Sequence, residues 1–494
     1  MSPLAEALSE AKRLAKGLDS SLRSELVKKL VHLHNRDKIR QREELKMNQI
    51  ELPLNVTKSN QSEKQGPIIP DQIRLRRAVR NQIEMMLRDL DSLVPEDHPV
   101  RSIWEFLEEL DLSAFYSSIK VAMDVPGRPA SDPQVLLALW IYATVEGIGS
   151  ARRLDKLCQE HDVYKWLCGG VPVNYHTLAD FRVTHQEALE KLLTEIIATM
   201  MHQKLVTLKQ VAQDGIRVRA SAGSGSFHQG DSLKKCMEEA EKQIKKLAEE
   251  RENPDPEVSL REKSARERTA RERKERIQAA LNELPAVQAA KDKQQRTKSK
   301  AERNKITEAR VSTTDPEARV MKMSDGGYRP AYNVQLATDV GSGVIVGAGV
   351  INQGNDSGQG EIIEAQVLER TGNHPKAYLI DGSYAQRDTI TTLTKRQLEV
   401  YAPVRPPRTT TSGRERSSPR SDDSKEVIAW RKRMETEEAK SIYRLRAATA
   451  EWANAQVRCH GLVRFTVRGL SKVLNVLLMV VIAHNLLRWS ALTS

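Results

Sequence analysis

Three acidic residues of this chain have the type and the surroundings for divalent-metal chemistry: Asp214, Asp381 and Glu451. Asp214 ends an apolar-alternating run, VTLKQVAQD (206–214), and Asp381 ends the run KAYLID (376–381). Glu451 lies in a long stretch of helical pattern. Two carboxylates at the ends of buried strands and a third on a helix can hold a pair of magnesium ions, which prefer oxygen ligands. Such a pair suits phosphoryl transfer on nucleic acid, because the two ions clamp the attacking and leaving oxygens.

The composition is compatible with a nucleic-acid substrate. Lysine and arginine number 78 against 66 acidic residues in 494, a formal net charge of +12. This excess favours an anionic partner through counterion release but does not identify it, since ribosomal and membrane-surface proteins share it. The four cysteines are far apart and form no CxxC pair. They predict reduced thiols and argue against a structural zinc site.

The sequence gives little sign of a membrane or secretion signal. The N-terminus is polar and amphipathic, without the apolar core of a signal peptide. The most apolar stretch, 472–489, approaches the length of a membrane span, but Asn475, His484 and Asn485 interrupt it. We therefore expect a buried helix that closes a soluble core, a cytoplasmic location and no membrane partner.

Composition shifts divide the chain. Residues 1–51 have helical spacing and predict a hairpin or coiled-coil arm, and 52–71 have linker composition. Residues 72–205 predict a run of helices. Residues 228–313 are rich in both charges and poor in large apolar residues, which predicts two long exposed helices divided by Pro-Asp-Pro at 254–256. This insertion is either a solvated arm or a surface that follows DNA.

Helix-start signals are clear in the 72–205 region. Asp132 before Pro133 predicts the cap of an apolar core helix, and Ser150 predicts the start of the next helix. Thr177 with Asp180 three residues later resembles a capping box.

Basic residues on these short helices are compatible with two structures. A helix-turn-helix would use them to contact DNA, whereas a helical bundle would present them as a solvated basic face. The residues are Arg152, Arg153, Lys156, Lys165 and Arg182.

Strand patterns dominate the second half of the chain. They lie at 329–339, 344–352, 376–381 and 398–405, with helical patterns at 358–371 and 385–397 and a flexible loop at 406–425. Without the insertion, the order is three meander strands followed by βα units, as in a ribonuclease-H-like sheet. The first and fourth strands of that sheet lie side by side, which would make Asp214 and Asp381 neighbours.

The predicted fold class is therefore α+β and multidomain. An N-terminal all-α region at 72–205, a candidate for DNA binding, precedes an α/β ribonuclease-H-like domain formed by 206–227 and 314–494, which contains the candidate catalytic acids. The charged helical insertion at 228–313 interrupts that domain.

Other acids fit structural roles better. Glu437 and Glu438 lie in the charged run METEEAK, which is typical of an exposed face. Asp339 ends a strand just before the turn VGSG, so we expect a turn residue. Asp356, in NQGNDSGQ, is predicted to be a loop or helix-cap residue, with a smaller claim to a place in the site.

Several motifs in register resemble bacterial insertion-sequence transposases of the DDE type, specifically the group named IS-eleven-eighty-two. They are GRPASDPQVLLALWIYATVEGIGSARRLDKLCQEHDVYKWLCGG (127–170), NYHTLADFRVTH (174–185), QDGIRVRASAG (213–223), DPEARVMKMSDGGYRPAYNVQLATD (315–339), YLIDGSY (378–384) and the stretch 442–489. The resemblance covers roughly residues 95 to 490.

The resemblance implies that Asp214, Asp381 and Glu451 are the catalytic and metal-binding residues. It implies two Mg²⁺ per site, with Mn²⁺ as a substitute. Tyr443 and Arg446 keep the family's Tyr-x-x-Arg spacing, but Glu451 follows Arg446 one residue later than in the family pattern.

The resemblance also implies the DNA contacts. Arg458 stands where relatives have a lysine and would hold a phosphate near the scissile bond, with Arg446 as a second candidate. The N-terminal helices would recognise the element's ends through the residues Arg152, Arg153, Lys156 and Arg182.

The implied activity is cleavage at the ends of the element and transfer of the freed 3′-hydroxyl into target DNA. The partners would be inverted-repeat ends and target DNA, bound by a homodimer or larger assembly at the nucleoid. Two alternatives stay open: a metal-dependent nuclease that does not join strands, and a DNA-binding descendant without catalysis.

Overall fold

The computed structural model describes residues 88–117, 119, 129–252, 259–296, 308–404 and 420–493. All of them belong to one compact unit, Met86–Ser494. The predicted arm at 1–51, the linker at 52–71 and most of the loop at 406–425 lie outside the described residues.

Short helices form the N-terminal part of this unit, as their sequence patterns predict. They are α1 Pro99–Glu109, α2 Ser113–Tyr116, α3 Pro133–Val145, α4 Ala151–Glu160, α5 Asp162–Cys168, α6 Tyr175–Thr184 and α7 Gln186–His202. Helix α3 is apolar on all sides and buried over almost its whole length. The predicted caps of α3 and α4 are confirmed, since Asp132 accepts from the Gln134 amide and Ser150 from the Arg153 amide.

The predicted capping box of α6 is wrong. Asn174 is the N-cap, and its side chain accepts from the amides of His176 and Thr177, both at 3.0 Å. Thr177 therefore lies inside the first turn, because an asparagine placed three residues earlier already satisfies the free N–H groups.

The second part of the unit contains the sheet and the insertion. Its elements are β1 Gln210–Arg219, β2 Phe227–His228, α8 Gly230–Glu252, α9 Leu260–Arg296, β3 Val311–Ser312, β4 Arg319–Lys322, β5 Tyr328–Asp339, β6 Ile345–Ile351, α10 Gln359–Thr371, β7 Ala377–Leu379, α11 Arg387–Lys395, β8 Glu399–Tyr401, α12 Lys425–Arg433, α13 Glu437–Cys459 and α14 Leu470–Thr493.

The six-stranded sheet is mixed. Strand β5 lies antiparallel to β1 on one side and to both β4 and β6 on the other. Strand β1 pairs in parallel with β7, and β7 pairs in parallel with β8. The prediction that the first strand and the strand before Asp381 lie side by side is thus confirmed. The short strands β2, β3 and β4 were not predicted.

The main hydrophobic core is continuous from the N-terminal helices to the sheet. It includes Leu139 of α3, Leu193 of α7, Val334 of β5 and Ile482 of α14, each with no exposed surface. A second, smaller apolar cluster joins Ala212 of β1 to Leu379 and Ala439, which packs α13 against the strands that carry the acids. The N-terminal helices and the sheet therefore share one core.

Helix α14 contains the apolar stretch at 472–489, which approaches the length of a membrane span. By length and composition it is the one helix among the described residues that would cross a membrane, but most of it is buried inside the protein. Its polar residues are also buried: Asn485 bonds both the amide and the carbonyl of Ile345, each at 2.9 Å. The expectation of a core helix agrees with this packing.

The charged insertion forms a helical hairpin, as predicted, with α8 ending at Glu252 and α9 starting at Leu260. The two-stranded pair of β2 and β3 closes its base. Ion pairs such as Lys274–Glu241 at 2.9 Å connect its two helices.

Candidate active site

Asp214 and Asp381 occupy matching positions on neighbouring strands. The parallel pairing of β1 and β7 ends at Ala212 opposite Leu379, and each acid follows two residues later. The prediction that Asp214 ends its strand is wrong, because β1 continues beyond it to Arg219, paired with β5. Because both acids follow the last paired residues by the same two positions, they lie near each other, and the negative charge of Asp381 raises the pKa of Asp214.

Helix α13 supplies two partners for Asp214. Arg446 Nη2 lies 2.5 Å from Asp214 Oδ1, and Asn454 Nδ2 donates to Oδ2 at 3.2 Å. Arg446 and Asn454 are eight residues apart, about two helical turns, so both point from one face of α13. The helix thereby holds both oxygens of the carboxylate.

Burial and nearby groups shift the pKa of Asp214 in both directions. Its side chain is 25% exposed, and burial raises its pKa above the usual value. The Arg446 guanidinium and the hydrogen bond from the Gly215 amide lower that pKa, whereas the negative charges of Asp381 and Asp356 raise it. Asp214 therefore sits in a site with more carboxylates than nearby cations.

Asp356 is the third carboxylate near Asp214. Its Oδ1 accepts from Asn333 Nδ2 and Gln335 Nε2, both at 2.8 Å, and its Oδ2 lies 3.3 Å from Ser383 Oγ. The sequence predicted a loop or cap residue, but its side chain is directed into the site.

Glu451 lies on the exposed side of α13. In sequence it stands between Arg446 and Asn454, the two residues of this helix that contact Asp214. The residues of α13 that face the core include Ala450 and Ala453 but not Glu451. Among the described residues, no three His, Cys, Asp or Glu side chains converge as a metal-binding group. The structure thus brings Asp214 and Asp381 near each other and leaves Glu451 on the exposed side of α13.

Tyr443 lies one turn before Arg446 and is half-buried. Burial raises the pKa of its hydroxyl, and its ring packs on the small apolar cluster below the acids. This environment agrees with a packing or positioning role.

Most of the predicted DNA contacts are accessible. Arg152, Arg153 and Lys156 lie on the exposed face of α4, and Arg458 is exposed near the end of α13. The Arg152 guanidinium stacks 5.3 Å from the centre of the Tyr175 ring. The Arg446 guanidinium, by contrast, forms an ion pair with Asp214.

Arg182 is wrongly predicted as a DNA contact. It is 8% exposed, donates to the Gly149 carbonyl at 2.5 Å and lies 4.5 Å from the centre of the Trp140 ring. Burial lowers its pKa to about 10. Because its guanidinium is enclosed by α3 and the turn before α4, it stabilises the helices and cannot reach a phosphate.

The other acids behave as the sequence predicts. Asp339 is buried and accepts from the Leu208 amide at 3.2 Å and from Ser342 Oγ at 2.7 Å, which fixes the turn after β5. Glu437 and Glu438 are exposed in the first turn of α13.

Sequence reasoning missed Asn454 and Gly215. A Cβ atom on Gly215 would lie 2.5 Å from Asp356 Oδ1, so only glycine leaves room for that carboxylate beside β1. The glycine after Asp214 was a signal for such a close approach. Asn454 gave no signal, because only the packing of α13 shows that it reaches Asp214.

Comparison with known families gives two matches. Residues 88–184 match the family described as Transposase domain (DUF772), and residues 403–489 match the Transposase DDE domain. The second match includes Glu451, whereas Asp214 and Asp381 lie outside both. No curated protein and no solved structure matches the chain. Together, the two matched domains support an insertion-sequence DDE transposase.

Proposed function

We propose that this protein catalyses metal-dependent cleavage at the ends of an insertion sequence and transfer of the 3′-hydroxyl into target DNA. The observation that carries the proposal is the meeting of Asp214 and Asp381 at the end of the β1–β7 pairing, next to a helix within the matched transposase DDE domain. The strand order β6-β5-β1-β7-β8 supports a ribonuclease-H-like sheet. Membership of the IS-eleven-eighty-two group belongs to the same proposal.

The donors at this place fit a hard divalent cation. Asp214 and Asp381 offer carboxylate oxygens, the ligand type that Mg²⁺ and Mn²⁺ take. The buried Asn454 Oδ1 has no hydrogen-bond partner in the described part of the chain. Bound there, a divalent cation would supply activation of water and stabilisation of charge on phosphate oxygens.

The protein's own residues hold and orient these donors. Asp214 and Asp381 are the proposed cation ligands, and Arg446 keeps Asp214 in one position. Glu451 is the proposed third acid, supported by its place on α13 between the two residues that contact Asp214. Arg458, exposed on the same helix, is proposed to hold a phosphate of the DNA.

The exposed basic residues of α4 are proposed to contact the DNA ends. Arg152, Arg153 and Lys156 lie together on its outer face, and phosphate contacts of this kind set register and affinity. Joining two ends requires two end-binding surfaces, so we propose a homodimer or larger assembly at the nucleoid.

The test is a cleavage and strand-transfer assay in Mg²⁺, with DNA that carries the inverted repeats flanking the gene. We expect joined product from the wild type and none from Asp214→Asn or Glu451→Gln. The exposed acid Glu438 provides the control Glu438→Gln, which should keep activity.

The pattern of products separates the alternatives. Cleavage without joined product would identify a nuclease, and DNA binding without cleavage would identify a non-catalytic descendant. Full activity of Glu451→Gln, with Asp214→Asn inactive, would show that Glu451 is not a catalytic residue.

A further inference from the structure

We propose that Asp356 positions the acids of the cation site: through Ser383 it orients Asp381, and across Gly215 it places a further negative charge beside Asp214. This inference rests on the proposed function of the site. It gives a role to an acid that the sequence indicated mainly as a loop or cap residue, with a smaller claim to a place in the site.

The Asp356 side chain is not used as a helix cap. The helix that follows, α10, has Gly358 at its N-cap and no side-chain cap bond. The Gln359 amide bonds the backbone carbonyl of Asp356 instead, at 3.1 Å. The carboxylate is therefore available for another role.

Two amide groups of β5 hold that carboxylate in place. Asn333 and Gln335 are buried, and both donate to Oδ1 of Asp356 at 2.8 Å. With Oδ1 held twice, the second oxygen is directed at Ser383, whose hydroxyl lies 3.3 Å from it and 3.5 Å from Asp381 Oδ2. The single hydroxyl proton of Ser383 is thus shared between Asp356 and Asp381.

Buried polar side chains in turn fix Gln335. Its Oε1 accepts from Tyr384 Oη at 2.5 Å and from Gln213 Nε2 at 3.2 Å. Tyr378 Oη donates to Gln213 Oε1 at 2.6 Å. This hydrogen-bonded series runs from β7 through β1 to β5, so the position of Asp356 is coupled to the strands that carry Asp214 and Asp381.

A glycine in β1 leaves room for the Asp356 carboxylate beside that strand. Gly215 follows Asp214 directly, and a Cβ there would approach Asp356 Oδ1 to 2.5 Å, Gln335 Nε2 to 2.8 Å and Asn333 Oδ1 to 3.0 Å. Charge is consistent with this placement, since Asp356 and Asp381 both raise the pKa of Asp214.

The test measures Mn²⁺ binding to the full chain without DNA, by the electron paramagnetic resonance signal of free Mn²⁺, together with thermal unfolding. Asp356→Asn keeps the size of the side chain and an acceptor for the β5 amides, and should weaken Mn²⁺ binding about tenfold, as loss of a group that supports ligands does. Ser383→Ala should weaken it about threefold, the effect of one modest hydrogen bond.

Two further variants make the result specific. Asp388→Asn removes an exposed acid five residues after Ser383 and should leave Mn²⁺ binding unchanged. Asp381→Asn removes a proposed ligand and should abolish it.

The outcomes separate the two proposals. If Asp381→Asn binds Mn²⁺ like the wild type, the proposed function fails. If Asp381→Asn loses binding while Asp356→Asn matches Asp388→Asn, only the role of Asp356 is overturned. If Asp356→Asn unfolds at a lower temperature, Ser383→Ala decides, and unchanged Mn²⁺ binding of that variant overturns the inference.

Discussion

Two groups of carboxylates in this protein differ in how their charge is balanced. Asp423 and Glu364 have fully buried side chains, and each is paired with two basic side chains: Asp423 with Arg431 and Arg387, and Glu364 with Arg396 and His374.

Around Asp214 the balance is reversed. Arg446 is the cation that contacts it, while Asp381 and Asp356 add negative charge nearby. Carboxylates that hold a fold together are matched by cations of the protein, because an unmatched buried charge is costly. The excess at Asp214 fits the cation that we propose to bind there.

The largest effect should come from removing a proposed ligand. Asp381→Asn should lower strand cleavage by at least about a hundredfold, since one functional group in a phosphoryl-transfer site contributes on that order. The midpoint of thermal unfolding should stay the same or rise, because the change relieves repulsion with Asp214. Cleavage rates and calorimetry on the same preparation measure both. A large loss of stability would mean that Asp381 is structural, like Asp423.

Removal of a carboxylate from the balanced group, Asp423 and Glu364, should lower the stability of the fold instead. Asp423→Asn should lower the free energy of unfolding by about 3 kcal/mol, because it leaves the buried Arg431 without its carboxylate. The neighbouring Asp422, whose side chain is 66% exposed, also pairs with Arg387, and Asp422→Asn should change stability by less than about 1 kcal/mol. Urea unfolding distinguishes the two, and equal effects would contradict the comparison.

A smaller effect is expected from Arg446, the arginine that contacts Asp214. Arg446→Met should lower cleavage roughly tenfold, about 1.4 kcal/mol, because Asp214 loses the contact that fixes its Oδ1. Arg444, exposed two residues earlier on the same helix, provides the control Arg444→Met, which should cleave like the wild type. An increase in cleavage by Arg446→Met would show that the arginine competes with the cation.

The smallest effect concerns pH. Burial raises the folded-state pKa of Asp214, so the protonated carboxyl stabilises the fold below the unfolded pKa, and this stability is lost as pH rises through the raised pKa. The stability of Asp214→Asn relative to the wild type should therefore increase as pH rises through that interval without added metal. Unfolding free energies of both proteins across the acidic range measure the trend, and the reverse slope would contradict a raised pKa.

The sequence predicted those parts of the fold that depend on local pattern. The alternating strands β5 and β6, the helices α10 and α11 and the insertion hairpin lie close to their predicted positions, because periodicity and turn residues determine them. The nearness of Asp214 and Asp381 was predicted from strand order.

Features that depend on packing were missed or predicted wrongly. Arg182 looked like a surface cation, but only the tertiary structure shows that Trp140 covers it. Asp356 lies in a loop, as predicted, but its contacts in the site were missed, because the amides that hold it come from β5, more than twenty residues away. A single sequence does not show which face of a helix meets the sheet, so the contact of Asn454 with Asp214 was missed, and nothing indicated that Glu451 lies on the exposed side of α13.

The short β2–β3 pair at the base of the insertion has a consequence for folding kinetics. Strand β1 must find β5 across more than a hundred residues, and a long flexible loop slows such a search. If α8 and α9 form first, β2 and β3 close that loop early and shorten its effective length. Pulse-labelling hydrogen exchange should then show protected amides in the hairpin before β1, and simultaneous protection would mean that the sheet forms without this shortcut.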